Sequence, residues 1–84
     1  MATTYSFTIT RADPYDTSYE VWARNGAGPI EYGDGIYVGN FPILPHQTAV
    51  NGSFSAPAAG SWVFAATQVQ NGVLGATSLP KATA

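Results

Sequence analysis

Residues 4–10 alternate without a break: Tyr5, Phe7 and Ile9 fall on one side, Thr4, Ser6, Thr8 and Thr10 on the other. Successive side chains of an extended chain point to opposite faces, so this spacing predicts a half-buried strand with a threonine-lined outer face. Asp13-Pro14 and Asp16 end it in a turn. Residues 18–24 alternate again, with Tyr19, Val21 and Ala23 against Glu20, Trp22 and Arg24, until the run Asn-Gly-Ala-Gly-Pro at 25–29 breaks the pattern. Gly33, Asp34-Gly35 and Gly39 interrupt the next stretch, which predicts only a short strand around 36–38. In 41–45 (FPILP), Pro42 and Pro45 bracket an apolar pair. Proline cannot donate to a ladder, so this segment reads as a loop between sheets, with Ile43 or Leu44 plugging the core.

The last third carries the densest pattern. Residues 47–54 set Val50, Gly52 and Phe54 on one face, with Asn51-Gly52 inside the alternation as either a hairpin turn or a bulge. Pro57 to Gly60 form a corner. Residues 61–69 follow, with Trp62, Phe64 and Ala66 on one face and Val63, Ala65, Thr67 and Val69 on the other. Asn71-Gly72 has strand pattern on both sides, the strongest short-range hairpin signal. Residues 73–79 close the domain, and 81–84 are expected to be a flexible tail. No segment has a 3.6-residue apolar period. Strands recurring every ~8–12 residues between turn signals predict one all-β antiparallel sandwich of six to seven strands.

Composition narrows the functional classes. Eighty-four residues make a single domain, whose small core leaves little stability to spare. Domains of this size commonly lean on disulfides, metals or partners. Without cysteine, disulfides and thiolate metal sites are excluded, which makes help from a partner the favoured route. Three basic residues are too few to track phosphates, which argues against nucleic acid. Only 10 % of residues are charged; every acid lies between Asp13 and Asp34, and 47–80 carries no charge. A neutral β surface of that kind is either plain solvated surface or a surface meant to be covered by protein. No apolar run is long enough for a helical membrane span, and residues 1–7 lack the pattern of a secretory signal. The chain therefore reads as made without export, or as an excised domain with an added Met1.

The stretch 48–78 resembles the closing half of a fibronectin type III or bacterial immunoglobulin-like domain. Its alternating strand, Pro57–Gly60 corner, aromatic Trp62 and Asn71-Gly72 hairpin are the matching features. Residues 18–24 (SYEVWAR) are similar to the central Tyr-x-Val strand of those domains, and 5–10 to the strand before it. Trp62 stands where they carry the corner tyrosine, without the hydroxyl that closes the corner. There is little room for a separate first strand, so an unpaired edge is expected. The resemblance implies an immunoglobulin-like β-sandwich that binds or spaces, not an enzyme and without cofactors.

Candidate chemistry is sparse. His46 is the sole histidine, beside Pro45 in a loop with no acid near it, which argues against a catalytic triad. Five acids in so small a sandwich make a poor two-carboxylate cleft. Asp13, Asp16 and Asp34 read as turn formers, with calcium as the alternative. Asn51-Gly52-Ser53 fits a glycosylation sequon by chance. Trp22, Tyr15, Tyr32 and Tyr37 are more informative, since outward aromatics anchor protein interfaces or stack on sugars. The competing reading shifts the faces by one residue and puts Trp22 and Tyr37 in the core. Val63 and Val69 add an apolar outward stripe. The expected interaction residues are Trp22, Tyr32, Tyr37, Val63 and Val69. The expected role is a virion component, a phage capsid decoration or tail-associated protein that docks on itself or on a lattice. A glycan-binding or adhesin module is the alternative.

Overall fold

The computed structural model describes residues 3–26 and 28–83. Met1, Ala2, Ala27 and Ala84 lie outside them, so the part of the expected tail at Ala84 is not described. Seven strands follow one another: β1 (Thr3–Thr10), β2 (Ser18–Asn25), β3 (Ile36–Pro42), β4 (Ala49–Ala56), β5 (Trp62–Gln70), β6 (Val73–Ser78) and β7 (Ala82–Thr83). They form two antiparallel sheets, ordered β4-β1-β7 and β3-β2-β5-β6. The chain is an all-β sandwich.

The alternations dictate which faces meet. Phe7 and Ile9 of β1 pack against Tyr19, Val21 and Ala23 of β2 and Phe64 and Ala66 of β5. Tyr5, Val50 and Phe54 close the periphery. Phe64 is the centre of this packing, its ring 5.4 Å from Phe7, 5.8 Å from Phe54 and 6.0 Å from Tyr5. Tilted and edge-on contacts of this kind bind the sheets through the ring quadrupoles as well as through buried area.

Asn51-Gly52 is neither turn nor bulge. It lies inside β4 in unbroken register, with Asn51 opposite Thr8 and Gly52 opposite Phe7. The glycine is required by its neighbours: a Cβ there would lie 2.6 Å from the Phe7 ring and 2.7 Å from the Phe41 ring. β3 runs longer than the glycines suggested, reaching Pro42. It is an edge strand, so a residue lacking N–H is tolerated, and a register shift opposite Val21/Trp22 absorbs the irregularity. Ile43 plugs the core, while Leu44 is exposed.

Both poles are closed by side chains bonding to backbone. At the Pro57–Gly60 corner the indole N–H of Trp62 donates to Ala58 O (3.0 Å) and the Tyr5 hydroxyl donates to Gly60 O (3.0 Å). The indole nitrogen of Trp62 thus gives this corner its own side-chain-to-backbone bond. At the other pole Arg11 donates from Nε to Gln47 O (2.8 Å) and from Nη2 to Leu44 O (2.6 Å). Its Nη1 serves the carbonyls of Asp13, Pro14 and Asp16 at 3.2–3.3 Å. The buried Asp16 carboxylate accepts from Tyr19 Oη (2.6 Å), Asp13 N (3.1 Å) and Gln70 Nε2 (3.1 Å).

Residues 82 and 83, within the tail expected to be flexible, pair with β1 as β7. Ala82 also packs against the core, a contact that ties this segment down.

Three stability measurements test this account. Phe64→Ala should lower urea stability by about 3–5 kcal/mol through lost contact and an unfilled cavity. Gly52→Ala should cost about 1–3 kcal/mol, because overpacking against two rings outweighs the gain from removing a glycine. Arg11→Lys should cost about 1.5–3 kcal/mol, since an ammonium cannot reproduce the guanidinium fork. An unchanged urea midpoint for Arg11→Lys would contradict the role given to Arg11.

Candidate functional site: the outer face of the four-stranded sheet

Pairing of β2 with β5 sets Ser18 opposite Val69, Glu20 opposite Thr67, Trp22 opposite Ala65 and Arg24 opposite Val63. These residues alternate with the core-facing Tyr19, Val21 and Ala23 and therefore form the outer face. β3 adds Tyr37 beside Trp22 and Asn40 beside Glu20; β6 adds Thr77 beside Thr67 and Leu74 beside Val69. The faces run as the alternation predicts, and Trp22 and Tyr37 are not core.

Trp22, Tyr32 and Tyr37 come together at one corner of this face. The Trp22 ring lies 5.6 Å from Tyr32 and 5.2 Å from Tyr37, at interplanar angles of 71° and 58°. Both tyrosines are about half exposed (46 % and 49 %) and Trp22 is half-buried between them. The Trp22 indole N–H is shielded from solvent and has no acceptor among the described residues. Tyr15 does not join the cluster: it stands in the β1–β2 turn, 77 % exposed.

A polar strip borders the rings. The Tyr37 hydroxyl donates to Glu20 Oε2 (2.6 Å), and Asn40 Nδ2 donates to Ser18 Oγ (3.0 Å) and Glu20 Oε2 (3.3 Å). Thr67 and Thr77 share a hydroxyl bond of 2.8 Å. The carboxylate acceptor, with some desolvation, holds the Tyr37 phenol at a pKa of about 12 against the ordinary 10.0. Burial, followed by the bond to Asp16, also raises Tyr19.

Val63 and Val69 share the outer face with the aromatic cluster but sit apart from each other, at the two ends of Ala65–Thr67. They are half-buried, and Ala65 is fully buried opposite Trp22, so the apolar stripe is less exposed than its sequence suggests. The larger exposed apolar surface is at β6. Every residue of that strand is exposed, Val73 by 68 % and Leu74 by 47 %. Sequence reading recognised the strand but missed its exposure, because edge position is a property of the sheet order.

The turn aspartates are occupied within the fold. Asp13 Oδ1 accepts from Tyr15 N (2.9 Å), Asp34 Oδ2 accepts from Glu31 N (2.9 Å), and Asp16 is buried as described. Among the described residues no three His, Asp or Glu side chains gather as a metal site would require. His46 is exposed in the β3–β4 loop.

Comparison with models of known protein families, with characterised proteins and with solved structures found no match to this chain.

The Tyr37–Glu20 bond has a measurable consequence. The folded-state pKa lies above the unfolded value, so the stability contributed by this proton is complete below pH ~10 and is lost as pH rises toward ~12. Glu20→Gln should move the Tyr37 step of a 295 nm tyrosinate titration down toward pH ~10, with Tyr37→Phe identifying that step. A titration curve that Glu20→Gln leaves in place would refute the coupling.

Proposed function

We propose that this chain is a non-enzymatic assembly module of immunoglobulin-like type, docking through the outer face of β3-β2-β5-β6 and the free edge of β6. The observation that carries the reading is the β6 edge. It offers a ladder's worth of backbone groups, flanked by exposed Val73 and Leu74, without charge or proline. Edges are ordinarily blunted by lysine, proline or bulges; β3 has Pro42 and a register shift, whereas β6 has a register shift opposite Thr67/Val69 but no lysine or proline. An edge blunted only by a bulge, and bearing exposed Val73 and Leu74, is most simply covered by another strand.

The strand order supports the immunoglobulin-like part. With β1, β2, β4, β5 and β6 as strands B, C, E, F and G, one sheet pairs B with E and the other runs C-F-G. β3 flanks C, and β7 occupies the place of a first strand. A component of a virion or comparable lattice is the setting we favour, because a repeating surface covers such a face on every copy.

Glycan binding is the second reading. Glu20 and Asn40 beside Tyr37 supply polar groups next to aromatic rings, as sugar sites do. The steep ring angles weigh against it, since they give no flat platform for a pyranose face.

Light scattering and co-sedimentation decide between these readings. Wild-type protein should self-associate or bind particles, and the double variant Val73→Lys/Leu74→Lys should weaken that association at least tenfold while remaining folded. A wild-type chain that is monomeric at every concentration and sediments with no particle sinks the assembly reading. Glycan-array signal abolished by Trp22→Ala would establish the alternative.

A further inference from the structure

β1 is paired unequally on its two sides. β4 meets all eight of its residues, from Thr3 to Thr10, whereas β7 meets only Ser6 and Phe7. Among the described residues the second side of β1 is therefore a strand slot, filled over a quarter of its length. From β7 only Ala82 packs against the core. Between this segment and the body lies an open cleft of about 350 Å³, walled on one side by Ile30, Trp62, Val63 and Phe64 and on the other by Leu79, Pro80, Lys81 and Ala82 themselves. Leu79 itself is 64 % exposed, so the one bulky apolar residue of the segment is not seated in the space next to it.

The connection into the slot is short. β6 belongs to one sheet and β7 to the other, and only Leu79, Pro80 and Lys81 lie between them. Packed sheets stand ~10 Å apart and an extended residue spans at most ~3.6 Å, so this link has almost no slack. A short, proline-containing hinge ahead of a two-residue strand is an arrangement in which an element is readily passed to a neighbouring copy.

We propose that residues 79–83 form an exchangeable arm, which leaves its own β1 and occupies the β1 slot of a second copy. The occupant's fit is already on view. The Ser6–Thr83 and Phe7–Ala82 pairs made within one chain are reproduced unchanged between two, and the hinge is released from its crossing. No acidic residue lines the slot or the cleft, and Lys81 is the single charge there, so a second arm meets no like-charge cluster on approach. The exchange depends on β1 and the hinge alone, and stands apart from docking through β6. Reciprocal exchange closes a two-fold pair, and sequential exchange builds an open chain.

The cysteine-free chain makes the test direct. Ser6 and Thr83 are exposed and directly opposed, a spacing of ~4.5–5.5 Å between Cα atoms that suits a disulfide. Ser6→Cys and Thr83→Cys proteins are unfolded together, refolded concentrated and oxidised. Exchange predicts a mixed disulfide dimer several-fold more abundant than either homodimer. A mixed dimer no more frequent than the homodimers overturns the proposal. The pair is repeated in the Val73→Lys/Leu74→Lys background; an unchanged mixed-dimer yield supports exchange, and its loss assigns the cross-link to edge docking and overturns it. Independently, deleting Pro80 should convert the protein to a folded dimer, because the arm can no longer reach its own slot. A folded monomer with that deletion also overturns the proposal.

Discussion

The sandwich depends on aromatic packing between two sheets that no disulfide joins. Phe64 meets Phe7, Phe54 and Tyr5 across the interior, and Phe7 in turn meets Phe41 edge-on at 5.4 Å. Rings of this size bury ~150–250 Å² each, so a handful supplies much of the apolar burial available to a chain this short. Their placement propagates outward. Phe7 can lie flat under β4 only where residue 52 lacks a side chain, and that in turn holds the β1–β4 register.

Closure of the poles follows a second rule: polar side chains are spent on loop backbone. Trp62 and Tyr5 hold the corner, while Arg11 gathers carbonyls from two loops. Tyr19 links this pole to the core, its ring buried among apolar residues and its hydroxyl on Asp16. Acidic and basic groups thus serve the fold, and the remaining surface is left nearly neutral.

Strands whose alternation is local were legible in the sequence. β1, β2 and β5 were assigned with correct faces because Phe7, Ile9, Tyr19, Val21, Ala23, Phe64 and Ala66 all meet the opposite sheet, whereas the sequence left open whether Trp22 and Tyr37 face outward or lie in the core. Features set by distant partners were not legible. The role of Gly52 depends on a ring 45 residues away in sequence, and β3 extends through Pro42 only because it lies at an edge. Val63, Ala65 and Val69 could be placed on a face, but their burial depends on neighbours across the ladder. β7 left no pattern, since two small residues have no period.

The Arg11 clasp separates the two ends of the molecule in one further respect. Because one guanidinium holds the 11–17 and 43–48 loops in a common geometry, neither can lengthen without disturbing the other. The 28–35 loop carries its own internal closure between Glu31 and Asp34. Sequence drift and inserted peptides would therefore be accommodated at that loop, beside the aromatic corner, and rejected at the clasp. Within that loop the exposed 31–33 turn is the part free to diversify, since Ile30 is buried and Gly35 lies against the Ala23 backbone.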